Sequence, residues 1–99
     1  MTEKKYTKLC PLADFNGDRK VVELENKKYL MIKSGENFFV IESNCKHMGA
    51  PLKKGKIINE IIECPWHGCK YDFKTGKSTN SKHELKTINA FLLEGYICI

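Results

Sequence analysis

Two short stretches, Cys45-Lys46-His47 and Cys64-Pro65-Trp66-His67, each place a cysteine beside a histidine, and sixteen residues lie between them. Thiolate and neutral imidazole are the side chains with which proteins hold zinc or iron. The two pairs therefore predict a metal site with four ligands, Cys45, His47, Cys64 and His67. The rest of the chain is interpreted as the scaffold that brings these two stretches together.

The order of the ligands separates the candidate metals. Zinc fingers and ribbons usually place two cysteines in one loop and two histidines or two more cysteines in the other. Here each loop carries one cysteine and one histidine. That arrangement suits a two-iron centre in which two imidazoles replace two thiolates on one of the irons, because each loop can then reach both metals.

The first stretch continues as Cys45-x-His47-Met-Gly-Ala-Pro-Leu and the second as Cys64-Pro-Trp-His67-Gly-x-x-Tyr-Asp-x-x-Thr-Gly. These paired motifs resemble those of Rieske iron–sulfur proteins, and the flanks resemble the small soluble ferredoxins of that family, so the likeness covers nearly the whole chain. The resemblance implies an all-β Rieske fold, a small antiparallel β-sandwich or barrel. It also implies a cluster-binding subdomain inserted at about residues 43–76 of a single domain that spans residues 1–99.

The resemblance further implies one [2Fe–2S] cluster per chain, with Cys45 and Cys64 on one iron and His47 and His67 on the other. Two ferric ions, two sulfides and two thiolates carry no net charge, whereas four thiolates would leave the oxidised cluster negative. A neutral centre accepts an electron more easily, which raises its potential above that of all-cysteine clusters. The outer nitrogens of the two imidazoles should also titrate, so that reduction is coupled to proton uptake.

Three further residues of the second motif are predicted to surround the cluster. Trp66 lies between two ligands and is expected to shield the cluster rather than to carry electrons. High-potential Rieske proteins place a Ser and a Tyr after the second loop as donors to sulfur. Here these positions are Cys69, a weak donor, and Tyr71, which is either a sulfur donor or an ordinary core aromatic. Those proteins also carry a disulfide between the two loops, and its two cysteine positions are occupied here by Ala50 and Trp66, so the disulfide is absent. We therefore expect an intermediate or low reduction potential.

The length and composition fit one small domain. Ninety-nine residues leave no room for a second catalytic domain. No run approaches the 18 or so apolar residues of a membrane-spanning helix, and the first residues lack the apolar region of a secretory signal. A soluble, cytoplasmic protein is the expectation. Five cysteines, an odd number without an export signal, are expected to stay reduced, with Cys10 and Cys98 as small buried residues in strands.

The net charge of +5 comes almost entirely from lysine, since Arg19 is the single arginine. Nucleic-acid readers rely on arginine for bidentate contacts, so we expect no nucleic-acid partner, and the lack of a long apolar run indicates no membrane partner. Most of the lysines are interpreted as a solvated surface. Five of them cluster around the ligand loops, where they could steer a redox partner with an acidic docking face: Lys46, Lys53, Lys54, Lys56 and Lys70.

Short apolar runs alternate with turn residues along the chain, which is typical of an all-β domain. A turn or single helical turn is predicted at 11–17. The predicted strands are 6–10, 21–24, 28–33, 38–42, a segment 57–63 that turns at 59–60, 71–73, 85–93 and 96–99. The last two are expected to form a hairpin over Glu94-Gly95.

The sequence favours an electron carrier over an enzyme. Rieske oxygenases pass electrons to a mononuclear iron held by two histidines and a carboxylate. Once the two motif histidines are used, only His83 remains, and no flavin- or nicotinamide-binding glycine motif is present. The expected function is one-electron transfer from a ferredoxin reductase to an oxygenase or another redox enzyme. The alternatives are a small subunit of a nitrite reductase-type complex, and a zinc-binding or sensor module that transfers no electrons.

Overall fold

The computed structural model describes residues 6–46, 49–66 and 68–99. Within these ranges the chain forms β-strands and two short 3-10 helices, and no α-helix, as the all-β prediction requires. The strands are β1 (Lys8–Pro11), β2 (Arg19–Leu24), β3 (Lys27–Ser34), β4 (Asn37–Glu42), β5 (Lys56–Ile58), β6 (Ile61–Glu63), β7 (Lys70–Asp72), β8 (Thr87–Asn89), β9 (Phe91–Leu93) and β10 (Tyr96–Cys98). The 3-10 helices span Leu12–Asp14 and Leu52–Lys54.

The largest sheet has the antiparallel order β2-β3-β4-β8. Its first hairpin turns at Glu25-Asn26, where both residues have positive φ, 52° and 66°. Two-residue turns of this kind match the right-handed twist of the flanking strands. The centre of β3 is fully buried, because Leu30, Met31 and Ile32 lie between β2 and β4. The first ligand loop follows shortly after the end of β4 in this sheet.

The second sheet has the order β1-β10-β9 and closes the ends of the chain against each other. One expectation fails here. The segment 85–93 is not one strand, because β8 pairs with β4 in the large sheet while β9 pairs with β10. The chain changes sheets at Ala90, and the two halves of the segment therefore pair with different strands. The predicted hairpin over Glu94-Gly95 is confirmed for β9 and β10 alone.

The third sheet, β5-β6-β7, lies between β4 and β8 along the chain. β5 and β6 form a hairpin with the predicted turn at Asn59-Glu60. β6 ends at Glu63, directly before Cys64, and β7 begins at Lys70, directly after Cys69. The second ligand stretch is thus the connection between two paired strands, which fixes both of its ends.

Two clusters of buried side chains form the core. One contains Cys45, Cys64, Cys69 and Tyr71 together with aliphatic residues of the large sheet, so the ligand stretches share their packing with the main scaffold. Phe39 of the large sheet packs against Phe73, which follows the third sheet, with 5.3 Å between the ring centroids. The other cluster joins β3 and β4 to the terminal strands. Burial of these side chains provides the dominant stabilising free energy of such a fold.

All five cysteines lie among the described residues, and the structure gives each as a thiol rather than a disulfide. Cys10 and Cys98 are 7% and 0% exposed, which confirms their interpretation as small buried residues. Burial raises the pKa of the Cys10 thiol. Across the described part of the chain, no helix has the length and apolar character needed to cross a membrane.

Candidate metal centre

The two ligand stretches share one backbone hydrogen-bonding frame. In the first, the amide of Cys45 donates to the carbonyl of Ala50 at 2.9 Å and the amide of Gly49 donates back to Cys45 at 2.8 Å. In the second, the amide of Cys64 donates to Cys69 at 2.7 Å and the amide of Gly68 donates back to Cys64 at 3.2 Å. Each cysteine therefore occupies the same place in a six-residue loop.

A glycine with positive φ closes each loop, Gly49 at 75° and Gly68 at 69°. Glycine adopts this left-handed conformation without the steric penalty of a Cβ atom. The glycine in each sequence motif is thus explained by the turn of the backbone. Because the two hydrogen-bonding frames match, Cys45 and Cys64 have equivalent positions in their loops. This suits a shared centre that takes one thiolate from each loop.

Both thiols are buried, Cys45 at 2% and Cys64 at 1% exposure. The hydroxyl of Tyr71 lies 3.3 Å from the Sγ atom of Cys45. It also accepts the amide hydrogen of Lys46 at 3.3 Å. Tyr71 is fully buried and is therefore a core aromatic that also lies against a predicted ligand, and its role as a sulfur donor stays a prediction.

The phenol of Tyr71 stays protonated. Burial raises its pKa far above the usual value, and hydrogen bonding to Cys45 and Cys69 raises it further. A deprotonated cysteine sulfur can only accept a hydrogen bond. If Cys45 is a thiolate, the Tyr71 hydroxyl is therefore the donor of this contact.

Cys69 occupies the position at which high-potential Rieske proteins place a serine. Its side chain is buried, and its Sγ atom lies 3.4 Å from the Oγ of Ser81 and 3.7 Å from the Oγ of Ser78. Asn80, which lies between these two serines, also contacts the second loop: its side-chain Nδ2 atom donates to the backbone carbonyl of Gly68 at 3.0 Å. The polar segment 78–84 thus covers one side of the ligand stretch.

The predicted ligands His47 and His67 lie outside the described residues, as does Met48. Among the residues that are described, no group of three or more His, Cys, Asp or Glu side chains gathers at one point. The assignment of the two imidazoles as ligands therefore stays a prediction. The donor set available from the chain, two buried thiols in matched loops with a histidine in each motif, fits a [2Fe–2S] centre of mixed ligation.

Trp66 is 59% exposed, the same fraction as Ile58, and these are the two most exposed large apolar side chains among the described residues. The expectation that Trp66 shields the cluster stays a prediction. Large aromatic side chains exposed at a functional loop are typical of protein contact sites.

Sequence reasoning missed the role of Arg19. From the start of β2, its guanidinium donates to the backbone carbonyls of Lys53, at 3.0 Å, and Gly55. It also pairs with Asp18 at 2.9 Å, and this bond lowers the pKa of the Asp18 carboxyl. The single arginine thus ties the large sheet to the segment between the two ligand loops. Its isolation among sixteen lysines was the only available signal.

The five lysines near the ligand loops are exposed. Lys46 pairs with Glu42 at 3.0 Å. Lys53 and Lys54 form the end of the second 3-10 helix, Lys56 begins β5 and Lys70 begins β7. The structure therefore distributes these positive charges over the segments that border both loops.

A sequence model of the Rieske [2Fe–2S] domain matches residues 5–91, which is most of the chain. The chain belongs to the Rieske [2Fe–2S] domain family, and the cofactor of that family is the predicted cluster. This confirms the resemblance proposed from the two Cys-His motifs and the fold class that follows from it.

Three comparisons with known proteins show which members of this family the chain resembles. The chain is 38% identical over 69 residues to apoptosis-inducing factor 3 of Mus musculus, of which it spans only 11%. It is 29% identical to the ferredoxin component of biphenyl 2,3-dioxygenase from Rhodococcus jostii (strain RHA1), with 73% of this chain and 68% of that protein covered. The solved ferredoxin of Sphingomonas yanoikuyae B1 superimposes with a TM-score of 0.84 at 28% identity, over 96% and 97% of the two chains. The two of these proteins that the chain matches over most of their length are ferredoxins.

Proposed function

We propose that this chain is a one-electron carrier whose [2Fe–2S] cluster is held by Cys45, Cys64, His47 and His67. The observation that carries the proposal is the pair of matched loops, which present two buried thiols in equivalent positions, with that of Cys45 beside a phenol. The cluster, when bound, accepts and releases one electron. The proposal also keeps one domain over residues 1–99, with residues 43–76 as the cluster-binding subdomain.

The protein residues around the cluster would bind it, exclude water and hold protons in place. Burial of Cys45 and Cys64 keeps their sulfur atoms from solvent. The Tyr71 hydroxyl is positioned to donate to Cys45, and such a bond strengthens as negative charge accumulates on sulfur. The Cys69 thiol, a weak donor, would stabilise the reduced state less than a serine would. This combination supports an intermediate or low potential.

The direction of transfer that we propose is from a ferredoxin reductase to an oxygenase or another redox enzyme. The biphenyl 2,3-dioxygenase relative is by its name the ferredoxin component of an oxygenase system. The ferredoxin relatives favour this function over the nitrite reductase subunit and over a sensor or zinc module. A cytoplasmic location is proposed with it, and the five cysteines in thiol form are compatible with that location.

We propose that partners dock through an acidic face. Exposed lysines border both ligand loops, and long-range attraction between opposite charges accelerates encounter at low ionic strength. The charge is most concentrated in Lys53, Lys54 and Lys56, which lie within four consecutive residues. These three lysines give the proposal a direct test.

The test combines partner reduction with charge reversal. Purified protein should be reduced by a ferredoxin reductase and then reoxidised by an oxygenase component, one electron per chain. Replacing Lys53, Lys54 and Lys56 by Glu should slow reduction at low salt, and high salt should remove most of the difference, because salt screens exposed charges. Rates that are unaffected by the replacement at both salt concentrations would exclude these lysines from docking. A protein that no reductase can reduce would contradict the carrier function itself.

A further inference from the structure

The outer face of the third sheet is an exposed surface that borders the second ligand loop. Successive side chains along each strand point to opposite faces of the sheet. Ile62 and Tyr71 point into the core and are fully buried, whereas their neighbours along each strand lie on the opposite face. Two cross-strand rows form that outer face, Lys56-Glu63-Lys70 and Ile58-Ile61-Asp72.

This face exposes apolar surface at its centre. Ile58 is 59% exposed, and Ile61, its cross-strand partner, is half-buried. With Lys56, Lys70 and Thr79 they line an open groove of about 410 Å³. Because the two isoleucines are adjacent, their exposed carbon atoms form a continuous patch and are not scattered single residues.

The groove continues to the ligand loop. A second depression, of about 270 Å³, is lined by Lys54, Cys64, Pro65 and Gly68, and it shares Lys56 and Glu63 with the first. Glu63 and Lys70 are also the residues that directly flank the Cys64–Cys69 loop. A molecule seated on the isoleucines would therefore extend to the loop that carries a cluster ligand.

The rim of the two depressions is positive. Lys54, Lys56 and Lys70 are exposed there, against the single carboxylate of Glu63. Asp72 lies on the same face but outside both depressions, where its carboxylate accepts the amide hydrogen of Lys74. A second copy of this chain also carries a charge of +5 and would be repelled. The charge fits an acidic partner.

We propose that the outer face of β5-β6-β7 is the docking site for an acidic redox protein, which places an apolar side chain against Ile58 and Ile61 and carboxylates against Lys56 and Lys70. The inference rests on the carrier function proposed above and adds the part of the surface that the partner contacts. An apolar anchor surrounded by charge is the usual arrangement of an interface hot spot and its rim.

The experiment compares variants that keep the fold. Ile58→Ser and Ile58→Thr remove apolar area from an exposed position, and Lys70→Glu reverses one rim charge. Leu92→Ser is the matched control, because Leu92 is 47% exposed in β9, a strand of a different sheet. Each loaded protein is mixed with NADH, NADPH and a desalted extract of the organism that encodes the chain, and reduction is followed by visible absorption. Reduction by dithionite and the absorption spectrum show that the cluster and fold are intact.

Ile58→Ser should slow reduction by the extract about tenfold, the effect of ~1.4 kcal/mol of lost contact, at low and high salt alike. Ile58→Thr should lie between Ile58→Ser and the wild type. Lys70→Glu should slow reduction at low salt only, and Leu92→Ser should react at the wild-type rate.

Wild-type rates for Ile58→Ser would overturn the docking site while leaving the carrier function in place. Equal slowing of Ile58→Ser and Leu92→Ser would also overturn it, because the effect would not be specific to this face. A wild-type protein that the extract fails to reduce would overturn the carrier function and the docking site together.

Discussion

Replacing Tyr71 by Phe removes one hydroxyl from the predicted centre and leaves the ring in place. The hydroxyl lies 3.3 Å from the Cys45 sulfur, and the side chain is fully buried, so water does not replace the lost donor. A hydrogen bond contributes roughly 0.5–1.5 kcal/mol, and more of it is realised in the reduced state, where sulfur is more negative. Since a tenfold change corresponds to 59 mV for one electron, the midpoint potential should fall by roughly 20–60 mV.

Redox titration followed by EPR measures this shift, and Tyr29→Phe is the matched control. Tyr29 is also buried, at 7% exposure, but belongs to the other core cluster, so its hydroxyl should leave the potential unchanged. The phenol pKa of Tyr71 is raised, so it remains a donor throughout the neutral range and the shift should not depend on pH there. An unchanged or higher potential in Tyr71→Phe would refute the assignment of its hydroxyl as a sulfur donor.

Three other substitutions test the scaffold and the ligands. Arg19→Gln should lower the free energy of unfolding by ~1–3 kcal/mol, because two backbone carbonyls lose a charged donor. Part of this loss should disappear as the pH falls through the lowered pKa of Asp18, since that carboxylate stabilises the fold only above it. Urea unfolding that is identical to the wild type would contradict this. Gly76→Ala should cost about 2 kcal/mol or more, because φ is +84° and a Cβ atom would overlap the carbonyl of Leu85; a fully stable variant would show that the turn can relax. His67→Cys should lower the potential, if the cluster survives, by returning negative charge, and an unchanged midpoint in voltammetry would contradict the charge argument.

The local turns of the fold were predictable because each contains an asparagine, a residue that tolerates positive φ, in a polar pair. Glu25-Asn26 and Asn59-Glu60 separate short apolar runs, and both pairs adopt the positive φ angles of tight hairpins. The division of residues 85–93 between two sheets was not predictable. The local sequence of this segment does not determine which strand each half pairs with, because that choice depends on contacts far along the chain.

In the site as well, local features were predictable from the sequence and long-range contacts were not. The motifs predict which residues hold the cluster, since ligand type and spacing are local properties. The contact of Tyr71 with Cys45 and the bonds of Arg19 to residues 53 and 55 join segments 26 to 36 positions apart. Such contacts depend on how the sheets pack. The solvent exposure of Trp66 likewise depends on the direction in which its loop leaves the core.

Spectroscopy and metal analysis of protein purified without oxygen determine whether Cys45, Cys64, His47 and His67 hold a two-iron cluster. We expect two irons and two sulfides per chain, a coloured oxidised form, and an EPR signal on one-electron reduction with couplings to imidazole nitrogen that disappear when His47 and His67 are replaced. A colourless protein with one zinc per chain, or a cluster whose signal shows no nitrogen coupling, would contradict this assignment.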